Sequence, residues 1–176
     1  NRRPNREEQE EESELRSLAV EAVGIVGPDA AVAAPLLVRI LANPRETEFT
    51  RRRAVVATGQ IGPPADIALQ PLAAALLGDK SPAVRDAAAQ SLAQLGTRGH
   101  ATLTTLIVHA DTATRARAAT ALGNVSDAGE DVVITLQSAL DDDDAAVRLN
   151  AARSLWQITT APGPLLPVIL DLLTQG

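Results

Sequence analysis

Few side chains in this chain are equipped for chemistry. The only histidines are His100 and His109, at the two ends of one short predicted helix. No carboxylate stands three or four residues after His100, the spacing that a metal site or proton relay on one helix face requires. Four consecutive aspartates, Asp141–Asp144, offer oxygen ligands for a hard cation. The run lacks the EF-hand spacing, its glycine and its terminal glutamate, and a solvated turn with a helix cap accounts for it. The glycines fall at predicted helix ends, so none forms a phosphate-cradling loop. Arg51-Arg52-Arg53 is the one basic cluster, with structural pairing of Arg51 and solvent exposure of Arg52 and Arg53 as the expectation for it, in a chain of formal net charge −6. That balance disfavours general binding to nucleic-acid phosphates or anionic lipid. No catalytic, cofactor-binding or metal-binding constellation emerges, and the expectation is a protein that is not an enzyme and carries no cofactor.

The elements that hold these residues recur. V-R-D-A-A-A-Q-S-L-A-Q-L-G at Val84–Gly96 is echoed at Thr114–Val125 and Val147–Ile158, with weaker copies from Leu15 and Thr50. Alignment puts Arg16, Arg51, Arg85, Arg115 and Arg148 in one column, at steps of 35, 34, 30 and 33 residues. A second column is all alanine: Ala19, Ala54, Ala88, Ala118 and Ala151. A helical unit of this length cannot bury its apolar face alone and must stack on its neighbours. The predicted fold class is therefore all-α: a right-handed α-solenoid of stacked antiparallel helix pairs, about ten helices in all.

Composition agrees. Apolar residues make up 45% of the 176, yet there is one Phe, one Trp and no Tyr, Met or Cys. Stacked alanine-rich helices need no aromatic bulk, because small side chains let their axes approach closely. The absence of cysteine removes disulfides and thiolate metal sites and fits a reducing, cytoplasmic setting. No apolar run of the 18 or so residues that span a bilayer is apparent, so no membrane association is expected. Fifteen of the sixteen basic residues are Arg, Lys80 being the exception.

Second helices (B) are predicted over residues 12–26, 47–61, 82–95, 112–125 and 145–159, and first helices (A) over 30–42, 65–77, 100–109, 131–140 and 164–174. Ser81-Pro82 reads as a cap followed by a first-turn proline, and Asp111 and Asp144 take the same cap position. Gly27-Pro28, Gly62-Pro63-Pro64, Gly96 and Pro162-Gly163-Pro164 punctuate the B-to-A turns. Residues 1–13 read as a polar N-terminal extension and 14–176 as the repeat solenoid, the whole being a segment of a longer protein.

The chain resembles HEAT repeats, in particular the short bacterial HEAT-like units first described in phycobilisome lyases. The likeness rests on the turn aspartates Asp79 and Asp142, the Val84-Arg85 and Val147-Arg148 dipeptides, and the A-A-x-x-L pattern after them. It implies a ladder of turn Asp to helix Arg between units. That ladder is expected to weaken at the N-terminal end, where Glu10 and Arg45 take the position of Asp79. HEAT-like deoxyhypusine hydroxylases carry His-Glu pairs as iron ligands, and this chain has no His-Glu dipeptide.

At 100° per residue, Val84, Ala88, Ser91, Leu92 and Leu95 form the core face of their helix. The opposite face reads as three columns: Ser17, Arg52, Asp86, Ala116, Leu149; then Glu21, Val56, Gln90, Thr120, Arg153; then Gly24, Gly59, Ala93, Gly123, Trp156. The resemblance implies that this face is concave and receives partners. Leu149, Arg153 and Trp156 lie at i, i+4 and i+7, and Trp and Arg dominate binding hot spots. With Arg52 and Gln90 they are the candidate protein-binding residues; packing of Trp156 against a further helix is the bland alternative. A flanking column, Ile25, Gln60, Gln94, Asn124 and Gln157, reads as structural amides bonding to inter-unit backbones. The expected function is a non-enzymatic scaffold or protein–protein interaction module that binds a protein or peptide. Two rivals stand beside it: a relative of the bilin-lyase HEAT-repeat subunits, and a nucleic-acid-binding solenoid. The sequence leaves the oligomeric state open.

Overall fold

The computed structural model describes residues 5–161 and 163–174. Its regular structure is helical, with no strand among the described residues. The ten α-helices are α1 (Arg6–Val26), α2 (Ala34–Leu41), α3 (Glu48–Ile61), α4 (Leu69–Gly78), α5 (Pro82–Gln94), α6 (Gly96–His109), α7 (Thr112–Leu122), α8 (Glu130–Ser138), α9 (Ala145–Thr159) and α10 (Leu165–Thr174). The odd-numbered helices are the predicted B helices. The polar extension is not separate from the first repeat, since α1 begins at Arg6 and is capped by Asn5. Residues 1–4 and Pro162 lie outside the described residues.

The starts of the B helices follow from local chemistry. Thr47 caps α3 through the Thr50 N–H, and Asp111 caps α7 through the Thr114 N–H. Asp144 accepts from both Ala146 N and Val147 N at the start of α9. Three of the turns out of B helices place glycine in the left-handed half of φ space, with φ of 68° at Gly27, 74° at Gly62 and 69° at Gly96, where a Cβ is strained. At the first two, the prolines that follow open 3₁₀ turns, Gly27–Ala33 and Pro63–Ala68, so α2 and α4 start later than their apolar pattern suggests.

Glu11–Leu41 contains an 18-residue window long and apolar enough to cross a membrane by length and composition, which corrects the sequence expectation. In the fold this stretch is no single rod. It breaks at Gly27, and Ala34, Leu37, Ile40 and Leu41 beyond the break are buried in the protein core.

The chain divides into two compact units, with the boundary in sequence after Ser91. In the first, α2 packs on α3, α3 on α1, and α2 on α4. In the second, α6 packs on α7, α8 and α10 on α9, α7 on α9, and α6 on α8. Four of the five residues of the alanine column, Ala54, Ala88, Ala118 and Ala151, have no exposed surface, whereas Ala19 in α1 is exposed, contrary to its place in the column. Around them Leu37, Leu72 and Leu76 fill the first unit, and Leu103, Leu122, Leu136 and Leu155 the second.

Candidate functional site

The arginine column is structural. In the first unit Arg51 reaches the next turn with a two-pronged grip, Nε and Nη2 each 2.9 Å from the Asp79 carboxylate, while its Nη1 donates to the Glu46 carbonyl of its own turn. In the second unit Arg115 repeats the pattern on Asp142 at 2.8 Å and 2.8 Å, with Nη1 on the Ala110 carbonyl. The same aspartates also organise the following turn. Asp79 accepts from Ser81 N, and Asp142 from Asp144 N. Arg85 donates to the Asp79 carbonyl and Arg148 to the Asp142 carbonyl. The guanidinium hydrogen bonds hold both carboxyls below the usual carboxylate range despite partial burial, and both guanidiniums are raised in turn. At the N-terminal end the partner is Glu46, not Arg45. Arg16 Nη1 lies 2.9 Å from Glu46 Oε1, a single-pronged and more exposed pair.

Helix-to-helix bonds form a second ladder. Ser91 Oγ donates to the Val55 carbonyl at 2.9 Å, and Ser154 Oγ to the Ala119 carbonyl at 2.8 Å, both buried. These clips occupy equivalent positions in the two units. The sequence placed Ser91 on the core face but gave it no partner; a buried Ser at the same place in two repeats was the available signal.

The column of Gly24, Gly59, Ala93, Gly123 and Trp156 does not lie open as the helical wheel implied. Gly24 and Gly59 are buried, and Ala93 is 6% exposed. The reason is a close approach of the next B helix. A Cβ on Gly24 would collide with Gln60 Oε1 and come within 3.0 Å of Ala57 Cα; one on Gly123 would meet Ser154 Oγ and lie 2.6 Å from Gln157 Oε1. Gln60 and Gln157 of the amide column thus pack over the glycine of the preceding repeat, and Asn124 donates to the Thr120 carbonyl within its own helix. Trp156 stands apart at 47% exposure.

The other candidate residues divide. Arg153 beside Trp156 is exposed, and Leu149 is half-buried. In the first unit Arg52 is exposed and Gln90 half-buried. The arginine triplet is split three ways. Arg51 is locked on Asp79, and Arg53 is not the solvated side chain expected. It pairs with Glu21 at 2.8 Å, donates to Ser17 Oγ at 3.1 Å and stacks 4.2 Å above the Phe49 ring. Only Arg52 makes no ion pair among the described residues. Ala116, read as facing solvent, is half-buried, and its carbonyl accepts from Asn150.

The remaining polar groups are likewise engaged. His100 is buried with Nε2 3.0 Å from the Ala93 carbonyl, while the His109 side chain lies outside the described residues. Asp111 is held below its ordinary pKa by the Thr114 hydroxyl and backbone N–H. Among the described residues no group of three or more His, Cys, Asp or Glu could hold a metal ion.

Helix pairs of this length, tied turn to turn by arginine–aspartate pairs and helix to helix by serine clips, define the α-solenoid class. HEAT repeats match residues 46–107 and 101–175, most of the chain, which belongs to the HEAT-repeat family. It is similar in fold to an engineered protein of known crystal structure, with 21% identity and a TM-score of 0.51 over 90% of this chain and 79% of the other. It is also aligned with the complex of CpcE and CpcF of phycocyanin lyase from Nostoc sp. PCC7120, at 19% identity over 89% of each chain and a TM-score of 0.32; a score that low carries no argument. No curated protein matches the chain significantly.

Proposed function

We propose that this HEAT-repeat chain is a non-enzymatic interaction module that binds a protein or peptide through the outward face of its B helices, with Leu149, Arg153 and Trp156 on α9 as an anchor. One observation carries this reading. Trp156 is 47% exposed at the column where Gly24, Gly59 and Ala93 are buried, so the largest side chain in the chain is about half in water, near an exposed arginine in the same helix. Large amphipathic side chains of this kind supply contact area with little loss of conformational freedom. The absence of a reaction is supported by the structural engagement of Asp79, Asp111, Asp142, Asp144 and His100 in pairs and caps.

The test uses short peptides selected from a random displayed library on the whole chain. Trp156→Ala should weaken at least one class of the selected peptides by about 2 kcal/mol, roughly thirtyfold. Its stability should fall by no more than about 2 kcal/mol, because only half of the indole is buried. The single tryptophan gives a direct readout: emission typical of a wet indole, quenched by acrylamide and protected by bound peptide. A selection in which no enriched peptide loses affinity with Trp156→Ala refutes the anchor.

A further inference from the structure

The first unit carries a cleft that the α9 patch does not explain. It encloses about 330 Å³ between α1 and α3 and is lined by Glu21, Ile25, Phe49, Arg52, Arg53 and Val56, with Gln60 at one end. Ile25, Phe49 and Val56 are all exposed, although each is a large apolar side chain. Three such groups around one depression mark a contact surface more than scattered surface residues do.

Its polar groups are fixed before any ligand arrives. Glu21, Ser17 and the Phe49 ring each hold Arg53. The Glu21 carboxylate is therefore neutralised, and Phe49 is braced as a wall. Arg52 differs. It stands three residues after Phe49 and four before Val56, on the same helical face, exposed and without an ion pair among the described residues. A planar guanidinium between two apolar side chains is suited to a carboxylate, which it binds with two parallel hydrogen bonds. The volume lies at the lower end of ligand clefts, about 300–1,000 Å³, and admits a side chain or two, not a cofactor.

We propose that the α1–α3 cleft is a second binding site, which takes a peptide carrying a bulky apolar side chain next to a carboxylate: the apolar group enters between Ile25, Phe49 and Val56, and the carboxylate pairs with Arg52. This rests on the reading of the chain as a peptide-binding module and names the partner chemistry of a site distinct from Trp156. The match is one of charge as well as shape. Among the described residues lining the cleft, Arg52 is the cation without an ion pair, and the carboxylate, Glu21, is already paired.

The experiment selects random displayed peptides on the whole chain and titrates synthetic copies of the enriched ones against wild type, Arg52→Glu, Arg52→Gln, Val56→Asp and Trp156→Ala. All three positions are exposed, and circular dichroism checks that each variant keeps its helices. The expected result is a set of peptides that pair Leu, Ile or Phe with Asp or Glu. They lose about tenfold or more in affinity with Arg52→Glu and Val56→Asp, lose less with Arg52→Gln, and are unaffected by Trp156→Ala. Peptides that bind Arg52→Glu and Val56→Asp as tightly as wild type overturn the cleft. If those peptides are lost with Trp156→Ala, the α9 anchor stands without it. A chain that enriches no peptide overturns both, and a chain that self-associates through Val56 instead, seen as a dimer abolished by Val56→Asp, overturns the peptide as occupant.

Discussion

Removal of the Asp79 carboxylate should be among the most damaging single changes in the first unit. The Arg51 side chain is 3% exposed and that of Asp79 10%, so Asp79→Ala leaves a charge out of reach of water. Three hydrogen bonds disappear, two from Arg51 and one from Ser81 N, each 2.9 Å long. Breaking a buried pair by deleting one partner costs about 3–5 kcal/mol. Arg51 keeps its bond to the Glu46 carbonyl at 2.8 Å, which places the expected loss near the lower figure, about 3 kcal/mol. For a chain of this size that lowers Tm by about 6–12 °C. Urea unfolding followed by circular dichroism at fixed pH measures it, with exposed Asp143→Ala as a control expected to stay within about 0.5 kcal/mol. The double change Arg51→Met with Asp79→Leu should recover much of the loss, since an apolar pair of similar volume leaves no orphaned charge. If Asp79→Ala matches the control, the pair behaves as a screened surface contact and the ladder does not hold the repeats together.

Acid should dissolve the same ladder: Asp79, Asp111 and Asp142 are all held below the usual carboxylate range, so their stabilisation is complete above pH about 5 and is lost as pH falls through about 4 and below; Asp79→Asn should flatten that limb of a stability–pH curve. Ala118 has no exposed surface, so Ala118→Leu should cost about 1–3 kcal/mol by overpacking, and Ala116→Leu, at a half-buried position, should cost less when the two are compared by thermal melting. Thr160 ends α9 in the left-handed region at φ 56°, where its branched Cβ is strained; Thr160→Gly should raise stability by about 1 kcal/mol in the same melts.

What the sequence revealed and what it hid separate along one physical line. Helix caps at Asp111 and Asp144 were legible because a cap is decided within three or four residues. The columns of Ala88 and Val84 were legible because one helix's periodicity fixes its inward face. Position 93 was misread because the wheel of an isolated helix shows direction, not what lies in that direction. A second helix edge covers the flank that would otherwise face solvent, as Gly24 meeting Ala57 and Gln60 shows. Arg53 was misread because a long side chain can cross to the neighbouring helix, and nothing local to α3 announces Glu21 as its partner. Glu46 replaced Arg45 in the ladder because a turn can rotate its carboxylate into place by one residue, a freedom that column alignment does not allow.

The fit of Gly24 beneath Gln60 and of Gly123 beneath Gln157 gives the repeats a grammar of exchange. In these two pairs the earlier B helix presents a socket, the missing side chain, and its successor a plug, the amide. Units whose plugs and sockets match can be duplicated, deleted or transplanted with the stacking register intact. A unit bearing Trp156 has a plug, Gln157, but no socket. Moved upstream, it would put an indole where a following glutamine needs room, so shuffling of this array is directional: that unit can follow a glycine-bearing one, and a glutamine-bearing unit cannot follow it at the same spacing.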